Sequence, residues 1–169
     1  MKRLPDLLTA SRGIIAVIVA LLGLVGPDAL EWVILLIIIG WTTDIMDGRL
    51  ARKYQKEATW IGDREFAFDM VMVLGGLCYL VLAGFIPLAP AAAYVGVATL
   101  FIAYFRSKMV TMSFAFPVVA LPLIVAYFNA PRAAWIFIAW IVLALLYDWK
   151  RFKGVVHEFI ENAKALSHR

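Results

Sequence analysis

Asp44-Ile-Met-Asp47-Gly48-Arg49-Leu50-Ala51-Arg52 sets two carboxylates, a glycine and an arginine at the end of an apolar run. A second acidic pair, Glu65 and Asp69, opens the next apolar run. Spacings of three and four place each pair on one helix face. Carboxylates at the border of a membrane-length apolar segment are costly unless hydrated, paired or bound to a cation, so their default reading is functional. Two helices meeting through these faces would form an oxygen-lined cage, the donor set of a hard divalent cation.

The segments that must position these residues are apolar. The chain has 169 residues, of which 64% are hydrophobic and only 17% charged, far from the balance of a soluble domain. Runs suited to crossing a bilayer lie at Gly13–Val25, Trp32–Thr43, Phe66–Phe85, Ala91–Phe105, Met112–Phe128 and Ala133–Tyr147. The first two are short and must extend into their polar flanks. Pro27-Asp28, Pro87 to Pro90 and Asn129-Ala-Pro131 are turn signals, and Arg106-Ser107-Lys108 joins the fourth and fifth runs. Met1-Lys2-Arg3 before an apolar stretch resembles a signal peptide, but without a small-residue cleavage site the first run reads as a retained span. The predicted fold is all-α: one domain over residues 1–169, a polytopic membrane protein of six transmembrane helices.

Basic residues orient it. Fifteen of the sixteen Lys and Arg fall before the first run, between the second and third, between the fourth and fifth, or after the sixth; Arg132 is the exception. By the positive-inside rule both termini are then cytoplasmic, in an inner or cytoplasmic membrane, and the Asp44–Asp69 cluster opens to the cytoplasm. The net charge of +4 reflects this distribution and not a nucleic-acid surface. Residues 147–169 mix Trp149, Phe152, Val155, Val156, Phe159 and Ile160 with basic side chains, the pattern of an interfacial helix on anionic lipid. The lone Cys78 excludes an intrachain disulfide and reads as packing, and His157 and His168 read as surface residues of the tail.

The acidic segment resembles the signature of the CDP-alcohol phosphotransferase (CDP-alcohol phosphatidyltransferase) family, Asp-x2-Asp-Gly-x2-Ala-Arg-x8-Gly-x3-Asp-x3-Asp. Asp44, Asp47, Gly48, Ala51 and Arg52 match its first half without a gap, and Asp69 takes the place of the last aspartate. Ile61 stands at the second glycine position, beside Gly62, and Glu65 at the third aspartate position. Pro5-Asp6-Leu7-Leu8-Thr9-Ala10-Ser11-Arg12 is similar to the family's Pro-Asn-x-x-Thr-x-x-Arg segment, with Asp6 replacing Asn. The resemblance implies transfer of a phosphatidyl group from a CDP-linked donor such as CDP-diacylglycerol to a polar alcohol, with release of CMP, in phospholipid biosynthesis. It implies two Mg2+ or Mn2+ ions held by Asp44, Asp47, Glu65 and Asp69, with Asp69 also the base for the acceptor hydroxyl. It further implies nucleotide contacts from Thr9, Arg12, Gly48, Ala51 and Arg52, and a homodimer in the membrane, to which Gly75-Gly76 and Gly96 are suited by their small size.

Several positions keep a second reading. Asp44 and Asp47 could instead pair with Arg49, Arg52 and Lys53 as solvated helix-end residues. Arg12 and Thr9 could sit at the interface with the arginine snorkelling. Arg106 and Lys108 either anchor a cytoplasmic loop or bind a phosphorylated acceptor beside the metal site. Glu65 adds a methylene that octahedral Mg2+ tolerates poorly, leaving a working altered site, a one-metal site, or a member that binds CDP-lipid or metal without turnover. Gly62-Asp63 offers an alternative register, but six residues separate Asp63 from Asp69 and put them on different helix faces. A cation transporter would need its carboxylates near mid-membrane, and these lie at the ends of their runs.

Overall fold

The six apolar runs correspond to six α-helices, with no strand among the described residues. The computed structural model describes residues 4–53, 65–149, 153–154, 156–157 and 160–161, with their side chains apart from those of 4, 5, 50–53 and 65. In chain order the helices are α1 (Leu4–Leu22), α2 (Leu30–Lys53), α3 (Glu65–Leu82), α4 (Leu88–Phe105), α5 (Lys108–Asn129) and α6 (Pro131–Tyr147). The two short runs extend as their length requires: α1 reaches back to Leu4, and α2 runs on to Lys53 through the acidic segment. The aspartates of that segment are therefore helical, and their i, i+3 spacing does put them on one face.

Helix ends follow local chemistry. Gly26 (φ 96°) and Gly84 (φ 80°) take up the left-handed backbone that a residue without Cβ adopts at no steric cost, and they turn the chain between α1 and α2 and between α3 and α4. Pro131 opens α6 in the first turn, where its missing N–H has no partner to lose. Pro117 and Pro122 lie inside α5, where membrane neighbours can satisfy the carbonyls they leave behind.

The centre of the bundle is α1, packed mainly against α3 and α2. Beyond it, α5 links α3 to α6, α6 covers α2, and α4 leans on α5 at the edge. Ala16 and Val19 of α1, Val33, Ile34 and Ile37 of α2, Met72, Tyr79 and Leu80 of α3, and Ala134 and Phe137 of α6 make one buried core. Small residues set the spacing. A Cβ on Gly75 would lie 2.6 Å from the Ala16 carbonyl oxygen, and one on Gly40 would lie 2.5 Å from the Met72 methyl. Helix backbones in membranes approach this closely only where such side chains are missing.

The outer faces are apolar: Ile14 and Leu21 on α1, Leu100 and Tyr104 on α4, Phe116 on α5 and Leu143 on α6 are all exposed. In water such a surface would drive association; against lipid it is the normal exterior. Pro27–Arg49, Leu88–Phe105 and Lys108–Asn129 are long and apolar enough to cross a bilayer, and Phe66–Leu82 and Pro131–Tyr147 are apolar but shorter. This is the architecture of an integral membrane protein. The expected interfacial tail lies largely outside the described residues; 153–154, 156–157 and 160–161 within it are helical.

Candidate active site

The polar residues of α1, α2 and α3 meet at one end of the bundle. Thr9 and Arg12 are three apart on α1, so both point from one face, and that face is turned inward: Thr9 is 2% exposed and Arg12 fully buried. Gly13 lets α1 approach α3 beside them, since a Cβ there would lie 3.1 Å from the Phe68 ring. The next residue after Phe68 is Asp69.

Arg12 holds the group together. Its Nη1 donates to Asp44 Oδ1 at 2.5 Å and to Asp69 Oδ1, and its Nη2 donates to Asp47 Oδ2 at 2.6 Å. The Thr9 hydroxyl donates to the same Asp47 oxygen at 2.9 Å, and Arg12 Nη2 lies 3.4 Å from Thr9 Oγ1. One guanidinium thus bridges carboxylates of α2 and α3, with Asp47 buried and Asp44 and Asp69 partly open. A buried guanidinium is tolerable only with such partners, because taking an unpaired charge out of water costs several kcal/mol.

The supports of the α2 segment come from α6. Thr42, about half a turn before Asp44, accepts from Trp140 Nε1 at 3.0 Å, and its hydroxyl donates to the Ile38 carbonyl one turn earlier. Past Asp47, Arg49 swings to α6: its guanidinium stacks 3.6 Å over the Tyr147 ring and its Nη2 donates to the Tyr147 carbonyl at 2.8 Å. Asp148 lies 3.8 Å from the same Nη2.

Against the sequence-based expectations, the structure brings Asp44, Asp47 and Asp69 together and adds Thr9 and Arg12 to them. Arg12 does not snorkel, because α1 turns it into the bundle, where it is fully buried. Arg49 is drawn to the end of α6 and not to the aspartates. Gly48 follows Asp47 on α2, and Glu65 is the first residue of α3, one turn before Asp69. The side chains of Glu65, Ala51 and Arg52 lie outside the described ones, as do Ile61, Gly62 and Asp63 altogether. Arg106 and Lys108 sit on the α4–α5 link, with Arg106 exposed in a left-handed conformation (φ 45°) at the end of α4 and Lys108 opening α5. The Thr42–Trp140 and Arg49–Tyr147 contacts are not anticipated by the sequence reading; a tryptophan and a threonine nearly a hundred positions apart give no local signal.

The donors suit a hard cation in chemical type, since three aspartate carboxylates from two helices converge on a positive charge and hard oxygen ligands are what Mg2+ and Mn2+ prefer. The charge they converge on is Arg12. Among the described residues no group of three His, Cys, Asp or Glu side chains is disposed to hold one ion. The carboxylates are arranged around a guanidinium instead.

With this geometry in hand, comparison with known proteins gives one result. A family model described as CDP-alcohol phosphatidyltransferase matches residues 2–156, nearly the whole chain and all of the site. No curated protein and no solved structure matches the chain.

Proposed function

Because the chain belongs to the CDP-alcohol phosphatidyltransferase family, whose members transfer substituted phosphate groups from CDP-alcohols, we propose that it moves the phosphatidyl group of CDP-diacylglycerol to a polar alcohol and releases CMP. The observation that carries this reading is the convergence of Asp44, Asp47 and Asp69 of α2 and α3 on one point, against Thr9 and Arg12 of α1. These are the positions the family signature and its N-terminal segment occupy.

In this reading Asp44, Asp47, Glu65 and Asp69 would hold two Mg2+ or Mn2+ ions, which would neutralise the donor diphosphate and polarise its phosphorus. The side chains supply the rest. Asp69, at the more open edge of the cluster, accepts the proton of the acceptor hydroxyl as that oxygen bonds to the phosphatidyl phosphorus. The bond from that phosphorus to the bridging oxygen breaks, and CMP leaves with the bridging electron pair. Gly48 and Ala51 leave the helix face low enough for the nucleotide, while Thr9, Arg12 and Arg52 meet its polar groups. Arg12 can do so only after leaving its carboxylates. Arg106 and Lys108 on the α4–α5 link offer positive charge to a phosphorylated acceptor. Phosphoryl transfer is governed mostly by such positioning and charge stabilisation.

Six membrane spans with both termini in the cytoplasm, and a homodimer, complete the proposal. The distribution of Lys and Arg supports the orientation, and a lipid donor suits a site at the end of the helices. Glu65 at an aspartate position favours one second reading, a member that binds CDP-lipid without turnover. CMP release by purified protein from CDP-diacylglycerol, with Mg2+ or Mn2+ and a panel of alcohols, separates the two: a single required acceptor establishes the transferase, and metal-dependent donor binding without CMP release establishes the binding protein.

A further inference from the structure

The carboxylates assigned above to divalent metal already grip a cation. Resting on that reading, we infer that Arg12 is a resident counter-cation of the site: it keeps Asp44, Asp47 and Asp69 assembled before metal arrives, and metal must displace it to load.

Three observations support this. First, Arg12 occupies one oxygen of each carboxylate that would hold an ion, with Nη1 on Oδ1 of Asp44 and of Asp69 and Nη2 on Oδ2 of Asp47. Mg2+ needs its oxygens at about 2.0–2.1 Å in octahedral array. An ion in reach of these oxygens would overlap a guanidinium whose nitrogens sit 2.5 and 2.6 Å from two of them. An ion drawing on those oxygens and the guanidinium therefore compete for one place. Second, like charges on α2 and α3 repel strongly in a partly dehydrated setting, and the Nη1 bridge from Asp44 to Asp69 sets a positive charge between them across the two helices. Third, the grip is incomplete. Arg12 Nε is buried with no hydrogen-bond partner among the described residues. A buried donor without a partner is unfavourable, so the guanidinium is held firmly enough to assemble the site yet can be exchanged for a doubly charged ion.

Arg12 is therefore a positioning residue as well as the candidate nucleotide contact. Its test is Mn2+ affinity, read from the electron paramagnetic resonance of free Mn2+, together with Tm with and without Mn2+, for protein in lipid nanodiscs. Arg12→Gln is expected to melt below wild type without metal, to gain more Tm than wild type from Mn2+, and to bind Mn2+ at least about tenfold more tightly, tenfold being about 1.4 kcal/mol. Arg12→Lys keeps the charge without the two-ended fork and is expected between the two; it carries the test if the Gln variant does not fold without metal. Folded variants that bind Mn2+ no more tightly than wild type overturn the inference, and they do so alone if wild type binds Mn2+ and releases CMP. Wild type that neither binds Mn2+ nor releases CMP overturns the metal-dependent reading and the inference together.

Discussion

Arg12 Nη2 on α1 donates to Asp47 Oδ2 on α2 across 2.6 Å, with neither side chain more than 3% exposed. The pair is the buried end of a site whose other members, Asp44 and Asp69, remain partly open. The two partners are unequal. Removing Asp47 leaves Arg12 two other carboxylates, whereas removing Arg12 takes the same cationic partner from all three carboxylates at once. In metal-free protein Arg12→Ala is therefore expected to cost about 3–5 kcal/mol, the scale of a broken buried ion pair, and Asp47→Ala distinctly less. Thermal unfolding in one detergent would rank them, and the reverse order would contradict the arrangement.

Gly75 sets how near α1 comes to α3. Because a Cβ there would lie 2.6 Å from the Ala16 carbonyl oxygen, and backbone cannot give way as a side chain can, Gly75→Ala is expected to lose about 1–3 kcal/mol, as other overpacking changes do. Activity should fall with it, because α1 carries Thr9 and Arg12. Gly96→Ala is the control, as nothing lies within 4 Å of its added Cβ. Equal melting temperatures for the two variants would contradict the close approach.

Arg49 ties the end of α2 to the end of α6 through the Tyr147 ring and carbonyl. A double-mutant cycle on Arg49→Gln and Tyr147→Leu should return a coupling of about 0.5–1 kcal/mol, the range for an exposed cation–π contact. Additive effects would mean the stack carries no stability.

Trp140→Phe removes the indole donor to Thr42 and keeps most of the ring. Hydrogen bonds between membrane helices average about 0.6 kcal/mol, so a small loss of stability is expected, absent when Thr42 is already Val. A full-sized loss in the Thr42→Val background would show that ring packing dominates.

Glu65→Asp restores the family's residue at the third acidic position. With Glu65 as a metal ligand the variant is expected to retain or exceed wild-type CMP release, because aspartate is the residue that the family signature carries at this position and octahedral Mg2+ tolerates an extra methylene poorly. A folded variant with no activity would show that Glu65 is not aligned as proposed.

How much of this the sequence carried depended on the range of each interaction. The helices were legible because apolar runs and turn residues act locally, and Asp44, Asp47 and Asp69 stood out because charge at the border of an apolar run is conspicuous. Arg12 was visible as a candidate, but its place among the aspartates was not. That pairing depends on α1 lying between α2 and α3, set by the contacts of Gly13 with Phe68 and of Gly75 with Ala16, and a glycine in an apolar run reads the same whether it meets lipid or backbone. Arg49 is a case of the opposite kind: proximity in sequence offers the aspartates as a second reading, whereas the aromatic ring of Tyr147, close only in the fold, holds it.

The most direct test of the central claim is a paired count, in one reaction with Mg2+ or Mn2+, of CMP released and of phosphatidyl-alcohol formed from CDP-diacylglycerol. Equal amounts of both, dependent on a single added alcohol and lost in folded Asp47→Ala protein, are the expected result. CMP release that needs no acceptor, or that survives Asp47→Ala, would contradict a transferase built on this carboxylate cluster.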